Sequence, residues 1–142
     1  MSSKQKKTKP QIPGVLDPGN IDRKVLETVP FLYSGRKTEV EIIFPEFTSV
    51  CPWTGLPDFG ELTIRYIPGD RCVELKSLKY YLNSFRQIGI IQEDVVNWIL
   101  DDLVELIAPV SMTVIGNFNP RGGMKTIATA VYPDPPPDRD RS

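Results

Sequence analysis

The alternation of hydrophobic and polar residues predicts two β-strands in the first half of the chain. It runs over residues 39–44 and again over residues 61–67. The apolar faces are formed by Val40, Ile42 and Phe44 in the first segment and by Leu62, Ile64 and Tyr66 in the second. Pro45 is expected to end the first strand because proline cannot donate to a neighbouring strand. The stretch from Phe47 to Phe59, rich in Pro, Gly, Ser and Thr, is predicted to be a loop.

The hydrophobic period then changes to that of two α-helices. Apolar residues recur every three or four positions from residue 78 to 88 and from 91 to 106. Gly89 separates the two stretches, and Pro109 follows the second. Glycine between helices and proline just beyond a helix are typical boundary signals, so two separate helices are predicted.

Two further alternating segments, at 111–119 and 126–132, follow the helices and are joined by a turn of hairpin length. The element order ββ-αα-ββ predicts an α+β fold, with an antiparallel four-stranded sheet carrying both helices on one face. The isoleucines that lie off the core face are Ile43, Ile67, Ile115 and Ile127. Uncovered faces and edges of that kind are often buried by another subunit, so a homo-oligomer is expected.

The two ends of the chain differ in composition from its centre. The predicted organisation is a flexible arm at 1–28, a folded domain at 29–132 and a disordered, Pro- and Asp-rich tail at 133–142. The Lys-rich head lacks the apolar segment of a secretory signal, and no apolar run is long enough to cross a membrane. Two cysteines do not form a disulfide framework, so a cytoplasmic location with reduced thiols is expected.

The 142 residues include no histidine. A Ser-His-Asp triad, a Cys-His dyad and an imidazole ligand for a metal are therefore excluded. With two cysteines, a four-thiolate zinc site within one chain is excluded too, and no metal is expected. The net charge of -1 gives no general basic field for nucleic acid, and no direct nucleic-acid binding is expected.

The first candidate for chemistry is the segment that contains Cys51 and Asp58. A thiolate is a strong nucleophile, and a nearby carboxylic acid can exchange protons with a substrate. On the spacing alone, a structural role is favoured, with Cys51 as a small buried residue and Asp58 in a turn. Cys72 has no acidic or basic residue at a suggestive spacing, and a packing role is favoured for it.

A second group of candidates is suited to anions. Lys76 and Lys79 lie three residues apart on one helical face, near a helix start whose N–H groups attract negative charge. These facts alone favour an ordinary solvated face over a phosphate site. Arg121 and Gly122 in the hairpin turn could bind phosphate or form only a turn. Glu93 opens the second helix, where it either stabilises the helix dipole or binds the N–H edge of a heterocycle.

Four segments, in this order, resemble one enzyme family: FTSVCPWTGLPDFG, ELKSLKYYLNSFR, QEDVVNWILDDLV and GNFNPRGGM. The second is similar to the family signature E-[SL]-K-[SA]-x-K-[LY]-[YFW]. The family comprises the NADPH-dependent nitrile reductases that convert 7-cyano-7-deazaguanine to 7-aminomethyl-7-deazaguanine in the biosynthesis of the tRNA nucleoside queuosine. The resemblance covers about residues 44–132 and indicates the short, single-module form.

This resemblance implies the tunnelling fold, whose sheets join between subunits into barrels with active sites at subunit interfaces. It implies two molecules of NADPH per product, Cys51 as the nucleophile that forms a covalent thioimide, and Asp58 as the proton donor. The residues implied to contact the deazaguanine are Val73, Glu74, Leu75, Gln92 and Glu93. The residues implied to contact NADPH are Leu75, Lys76, Lys79, Arg121 and Gly122.

One position departs from the family pattern, because Gln92 stands where the family usually has histidine. Glutamine can hydrogen-bond to a substrate but cannot take up a proton near neutral pH. Two other functions remain open: a related amidinotransferase-like enzyme acting on the same nitrile in tRNA, and a non-catalytic module that binds deazaguanine. A relative with a histidine-containing zinc site is excluded by composition.

Overall fold

The structure is a computed structural model that describes residues 10–134. The start of the predicted arm, at 1–9, and the predicted tail from residue 135 lie outside the described residues. The strands are β1 (Thr28–Pro30), β2 (Val40–Val50), β3 (Pro57–Ile67), β4 (Arg71–Val73), β5 (Ser111–Phe118) and β6 (Ile127–Tyr132). The helices are α1 (Leu75–Asn83) and α2 (Gln92–Ile107), and two short 3₁₀ turns precede β1.

The main sheet has the strand order β2-β3-β5-β6, and every neighbouring pair is antiparallel. Helix α2 packs against β5 and β6 on one face of this sheet. The predicted α+β class, the ββ-αα-ββ order and the four-stranded antiparallel sheet are therefore confirmed. No helix within residues 10–134 is both long and apolar enough to span a membrane.

The predicted end of the first strand at Pro45 is wrong. Strand β2 continues to Val50, with a register shift between Phe44 and Phe47. It lies at the edge of the sheet, where a bulge accommodates a residue that has no N–H group to donate. Most of the predicted loop from Phe47 to Phe59 is therefore strand, and only residues 51–56 connect β2 to β3.

The domain boundary predicted at residue 28 falls inside packed chain. Ile21 is buried in the core, and Arg23 forms ion pairs with Asp102 and Glu105 of α2. Strand β1 pairs with β4 in a second, two-stranded sheet. These contacts are made by isolated residues without a repeating pattern, and hydrophobic periodicity therefore gives no sign of them.

Aromatic packing anchors the strand that leads to Cys51. The fully buried ring of Phe47 lies between those of Phe85 and Phe118, with centroid distances of 5.4 and 6.4 Å. A Cβ atom on Gly116 would lie 2.6 Å from the Phe118 ring and 3.0 Å from Val96 of α2. Glycine at that position therefore lets Phe118 and α2 approach the sheet closely.

The face of the sheet opposite the helices carries the expected apolar residues. Ile43 and Ile127 are 54% and 59% exposed, while Ile67 and Ile115 are partly exposed. The edge strands β2 and β6 have main-chain partners on one side only. This face and these edges are therefore left uncovered by the described part of the single chain.

Candidate active site

Cys51 follows directly after β2 in a tight turn. Its N–H donates to the carbonyl of Leu56 at 2.9 Å, and the N–H of Gly55 donates back to the Cys51 carbonyl at 2.8 Å. Gly55 has a φ of +73°, in the region that favours glycine. Two further main-chain hydrogen bonds join Val50 to Ile88 and Ile90. The chain just before α2 is therefore held beside Cys51.

This arrangement forms a cavity of about 170 Å³. Its lining includes five residues predicted from the sequence: Cys51, Asp58, Gln92, Glu93 and Arg121. The loop after β2 supplies Cys51, β3 supplies Asp58 and the β5–β6 turn supplies Arg121. The first turn of α2 supplies the other two side chains, so four separate segments of the chain meet here.

Asp58 is the buried acid of the cavity. It points to the helix-covered face of β3, and its Oδ1 accepts a hydrogen bond from Nη1 of Arg121 at 2.7 Å. The side chains of Asp58 and Arg121 are 2% and 42% exposed. The cross-strand partner of Asp58 is Ser49, which is fully buried. The Ser49 Oγ has no hydrogen-bond partner among the described residues.

The surroundings of Cys51 favour its thiolate form. Burial raises the pKa of the thiol, but interactions with Thr54, with the Trp53 backbone and with Arg121 together lower the pKa below its usual value. In turn, the Cys51 sulfur and the Asp58 carboxylate raise the pKa of Arg121. A thiol with a lowered pKa beside a buried carboxylate can act as a nucleophile that exchanges its proton locally.

The remaining predicted substrate contacts lie elsewhere on the chain. Val73, Glu74 and Leu75 line a separate hollow of about 520 Å³, together with Tyr66. The Val73 N–H donates to the Tyr66 hydroxyl at 3.2 Å. Asp58 and Tyr66 lie eight residues apart on β3, which corresponds to roughly 26 Å along an extended strand. The structure therefore does not bring the two predicted groups together within one chain.

Glu74, which the sequence resemblance implies as a substrate contact, also caps a helix. Its carboxylate caps α1 by accepting hydrogen bonds from the N–H groups of Lys76 and Ser77, at 2.9 and 2.8 Å. These hydrogen bonds lower the pKa of Glu74. Sequence reasoning did not identify this cap, although an acid just before a helical stretch is a usual signal for one.

The predicted cofactor contacts are also divided. Leu75, Lys76 and Lys79 are exposed on α1, whereas Arg121 and Gly122 lie in the β5–β6 turn near Cys51. Two supporting residues were missed by sequence reasoning: Ile12 lies against Gly55, and Val15 lies against Gly89. Their contacts secure the back of the Cys51 loop, but no pattern in the sequence marks them.

Comparison with known proteins now decides the family. Residues 57–137 match the sequence model of a family described as QueF-like protein. A protein of Caldicellulosiruptor bescii, named NADPH-dependent 7-cyano-7-deazaguanine reductase, is 60% identical over 112 residues, covering 79% of this chain and 86% of its own. The chain belongs to this reductase family. The resemblance drawn from the four sequence segments, and the expectation of an oxidoreductase, are thereby confirmed at the level of the family.

Other relatives of the reductase family agree. Proteins with the same name from Thermoanaerobacter pseudethanolicus and Chloroherpeton thalassium are 58% and 54% identical over 112 and 109 residues. They are matched over 84% and 94% of their length, and 79% and 77% of this chain. A solved structure, the apo archaeosine synthase QueF-Like, superposes with a TM-score of 0.66 at 21% identity, covering 71% of this chain and 99% of that one. It supports the tunnelling fold.

Proposed function

We propose that this chain reduces the nitrile of 7-cyano-7-deazaguanine to the aminomethyl group with NADPH, as a step of queuosine biosynthesis. The observation that carries this proposal is the meeting of Cys51, Asp58 and Glu93 in one cavity. Those residues supply a nucleophile, a proton-transfer group and a carboxylate that can accept hydrogen bonds from the N–H edge of a base. The names of the relatives support the choice of substrate.

The chemistry follows from the weakness of a nitrile as a hydride acceptor. Addition of the Cys51 sulfur to the nitrile carbon gives a thioimide, whose C=N group accepts hydride more readily. Asp58 protonates the nitrogen as negative charge develops there. A first hydride, with a proton taken up by the nitrogen, gives a thiohemiaminal. Loss of the thiol, whose sulfur takes a proton from that nitrogen, gives an imine. A second hydride and a second proton give the amine. NADPH supplies both hydrides, so two molecules are consumed per nitrile.

The residues available for NADPH suit its phosphates. Lys76 and Lys79 are exposed cations near the N-terminus of α1, while Arg121 carries a permanent positive charge at the cavity. The backbone N–H of Gly122 lies in the same turn as Arg121, with a φ of +59° at that glycine. Together they can neutralise charge on a dinucleotide and orient it, although they lie in two groups on one chain.

The division of the predicted contacts supports an active site shared between subunits. The hollow lined by Val73, Glu74 and Leu75 also contains Tyr66, which lies roughly 26 Å along β3 from Asp58 of the cavity, far more than the length of a bicyclic base. Within a homo-oligomer, these residues of one copy would face the cavity of another. The exposed apolar face of the sheet and its open edges supply surfaces for such an assembly.

Two measurements test the proposed function. Mass spectrometry of the protein with 7-cyano-7-deazaguanine is expected to show one covalent adduct, and added NADPH is expected to be oxidised at about two per nitrile. Asp58→Asn is expected to slow formation of the adduct and to stop hydride transfer. Absence of NADPH oxidation at every pH would refute a reductase. An adduct that passes to an amine donor on tRNA would favour the amidinotransferase, and nitrile binding without an adduct would favour a non-catalytic module.

A further inference from the structure

Arg121 is fixed opposite Asp58 by its backbone as well as by its side chain. Its N–H donates to the carbonyl of Met124 at 2.9 Å, and the Met124 N–H donates back at 3.0 Å. Both glycines between them have positive φ, which closes the turn tightly. The N–H of Asn119 donates to the Phe59 carbonyl at 2.8 Å and ties the turn to β3 next to Asp58.

Arg121 compensates negative charge in the cavity. The cavity is lined by two carboxylates, Asp58 and Glu93, and by the Cys51 thiol. Arg121 is the one basic side chain in that lining, as far as residues 10–134 show, and the N-terminus of α2 adds a partial positive charge. A buried carboxylate near another acid is strongly disfavoured as an anion unless it is paired.

We propose that Arg121 is a positioning residue that holds the Asp58 carboxylate facing Cys51 as the acceptor of the thiol proton. This role rests on the proposed function for its catalytic consequence and goes beyond a contact with a cofactor phosphate. The guanidinium both satisfies the buried anion and aims it, through the Nη1–Oδ1 hydrogen bond of 2.7 Å. The hydrogen bond between Arg121 and Cys51 also lowers the pKa of the thiol, which favours loss of its proton.

The resulting step is balanced within the site. The proton of the Cys51 thiol passes to the Asp58 carboxylate while the sulfur forms its bond to the nitrile carbon. One π bond of the nitrile breaks, and the nitrogen takes the same proton from Asp58. The carboxylate is regenerated beside Arg121, and no proton is drawn from solvent. Asp58 therefore acts first as base and then as acid, as a carboxylate held in place can do.

The test is the pH dependence of Cys51 alkylation by iodoacetamide, measured in a Cys72→Ala background so that one thiol reports. Because Arg121 favours the thiolate, Arg121→Gln is expected to raise the midpoint and slow alkylation at pH 7 several-fold. Lys125→Gln removes one exposed charge from the same hairpin, outside the cavity, and is expected to leave the midpoint unchanged.

A second variant separates positioning from phosphate binding. Arg121→Lys keeps the charge but loses the planar fork, so the alkylation midpoint is expected to stay near that of the parent while kcat falls by about tenfold or more. Arg121→Lys also serves if Arg121→Gln does not fold.

Two results would overturn the positioning role. The first is an alkylation midpoint in Arg121→Gln equal to that of Lys125→Gln. The second is an Arg121→Lys variant with normal kcat and only a raised KM for NADPH. Alkylation requires neither the nitrile nor NADPH, so the midpoint can be measured even in a protein without reductase activity. An unchanged alkylation midpoint in Arg121→Gln would leave the proposed reductase function intact.

Discussion

The two ends of β3 differ in chemistry. At the Asp58 end, a small cavity holds two carboxylates, a cation and a thiol whose pKa is lowered by its neighbours. At the Tyr66 end, a larger hollow is mainly apolar, and burial raises the pKa of Tyr66 to about 12. The anionic form is therefore favoured for the thiol at the first end, and the neutral hydroxyl is favoured for the tyrosine at the second.

The largest effect is expected from a substitution at the Asp58 end. Cys51→Ala removes the nucleophile and is expected to abolish the covalent adduct and reduce turnover by about 10⁴-fold or more. Cys72→Ala changes the other cysteine, which lies at the apolar end, and is expected to keep the adduct. Mass spectrometry and NADPH absorbance measure both. An adduct on Cys51→Ala, or its loss in Cys72→Ala, would reverse the assignment of the two ends.

The second experiment asks whether the two ends meet between subunits. Leu75→Asp places a charge in the exposed wall of the apolar hollow and is expected to inactivate the protein without unfolding it. When it is co-expressed with Cys51→Ala, about a quarter of the shared sites are expected to be intact, so activity returns.

The matched control pairs two lesions at the same end. Co-expression of Cys51→Ala with Asp58→Asn leaves no intact site in any hybrid, because both residues line the cavity of one chain. Recovery in the first mixture and none in the second would establish sharing. Equal recovery, or none in either mixture, would contradict a site that spans two subunits.

Substitution of Glu93 tests whether the cavity at the Asp58 end recognises the base of the substrate. Glu93→Gln replaces an acceptor by a group with one acceptor and two donors, and kcat/KM for the nitrile is expected to fall by about 10- to 100-fold. Asp94→Asn removes the neighbouring acid of the same first turn, which is outside the cavity lining, and therefore controls for the helix dipole. Similar losses in both variants would show that only the helix is affected.

Sequence reasoning succeeded where a repeating pattern or a motif carried the signal. The two helices, the order of elements along the chain and the antiparallel sheet were predicted, because alternation and helical spacing depend on neighbouring residues. The passage of β2 through Pro45 was not, since an edge bulge depends on which strand lies at the edge. Contacts such as those of Ile21 and Ile12 join distant segments through single residues, which periodicity does not reveal.

The site shows the same limit. The sequence indicated which residue types were present, but not that Arg121 would lie against Asp58 rather than with Lys76 and Lys79. It also did not show that Val73 and Cys51 would be separated by most of the length of a strand. Both facts depend on tertiary placement. The second raises the question whether one active site contains residues of two subunits, which sequence motifs do not indicate.

A smaller effect is expected at Gln92, which also lines the cavity. Gln92→His restores the usual family side chain. If residue 92 only orients the substrate, kcat/KM is expected to change by about two- to fivefold, within the range of one hydrogen bond. The pH–rate profile of both proteins is the measurement. A gain of several orders of magnitude would show instead that proton transfer at this position limits the present chain.

The smallest expected effect concerns stability at the apolar end. Because its hydrogen bonds lower the pKa of Glu74 in the folded protein, the charged cap stabilises the fold above the unfolded pKa of about 4.3. That stabilisation is lost as the pH falls through the lower, folded value. Glu74→Ala is therefore expected to lower Tm at pH 7, and the difference from the parent is expected to shrink in acid. Glu46→Ala, an exposed acid on β2, serves as the control in thermal melts. A Tm difference that is the same at pH 7 and pH 3 would mean that Glu74 contributes by packing, and the apolar end would then contain no charge-dependent element.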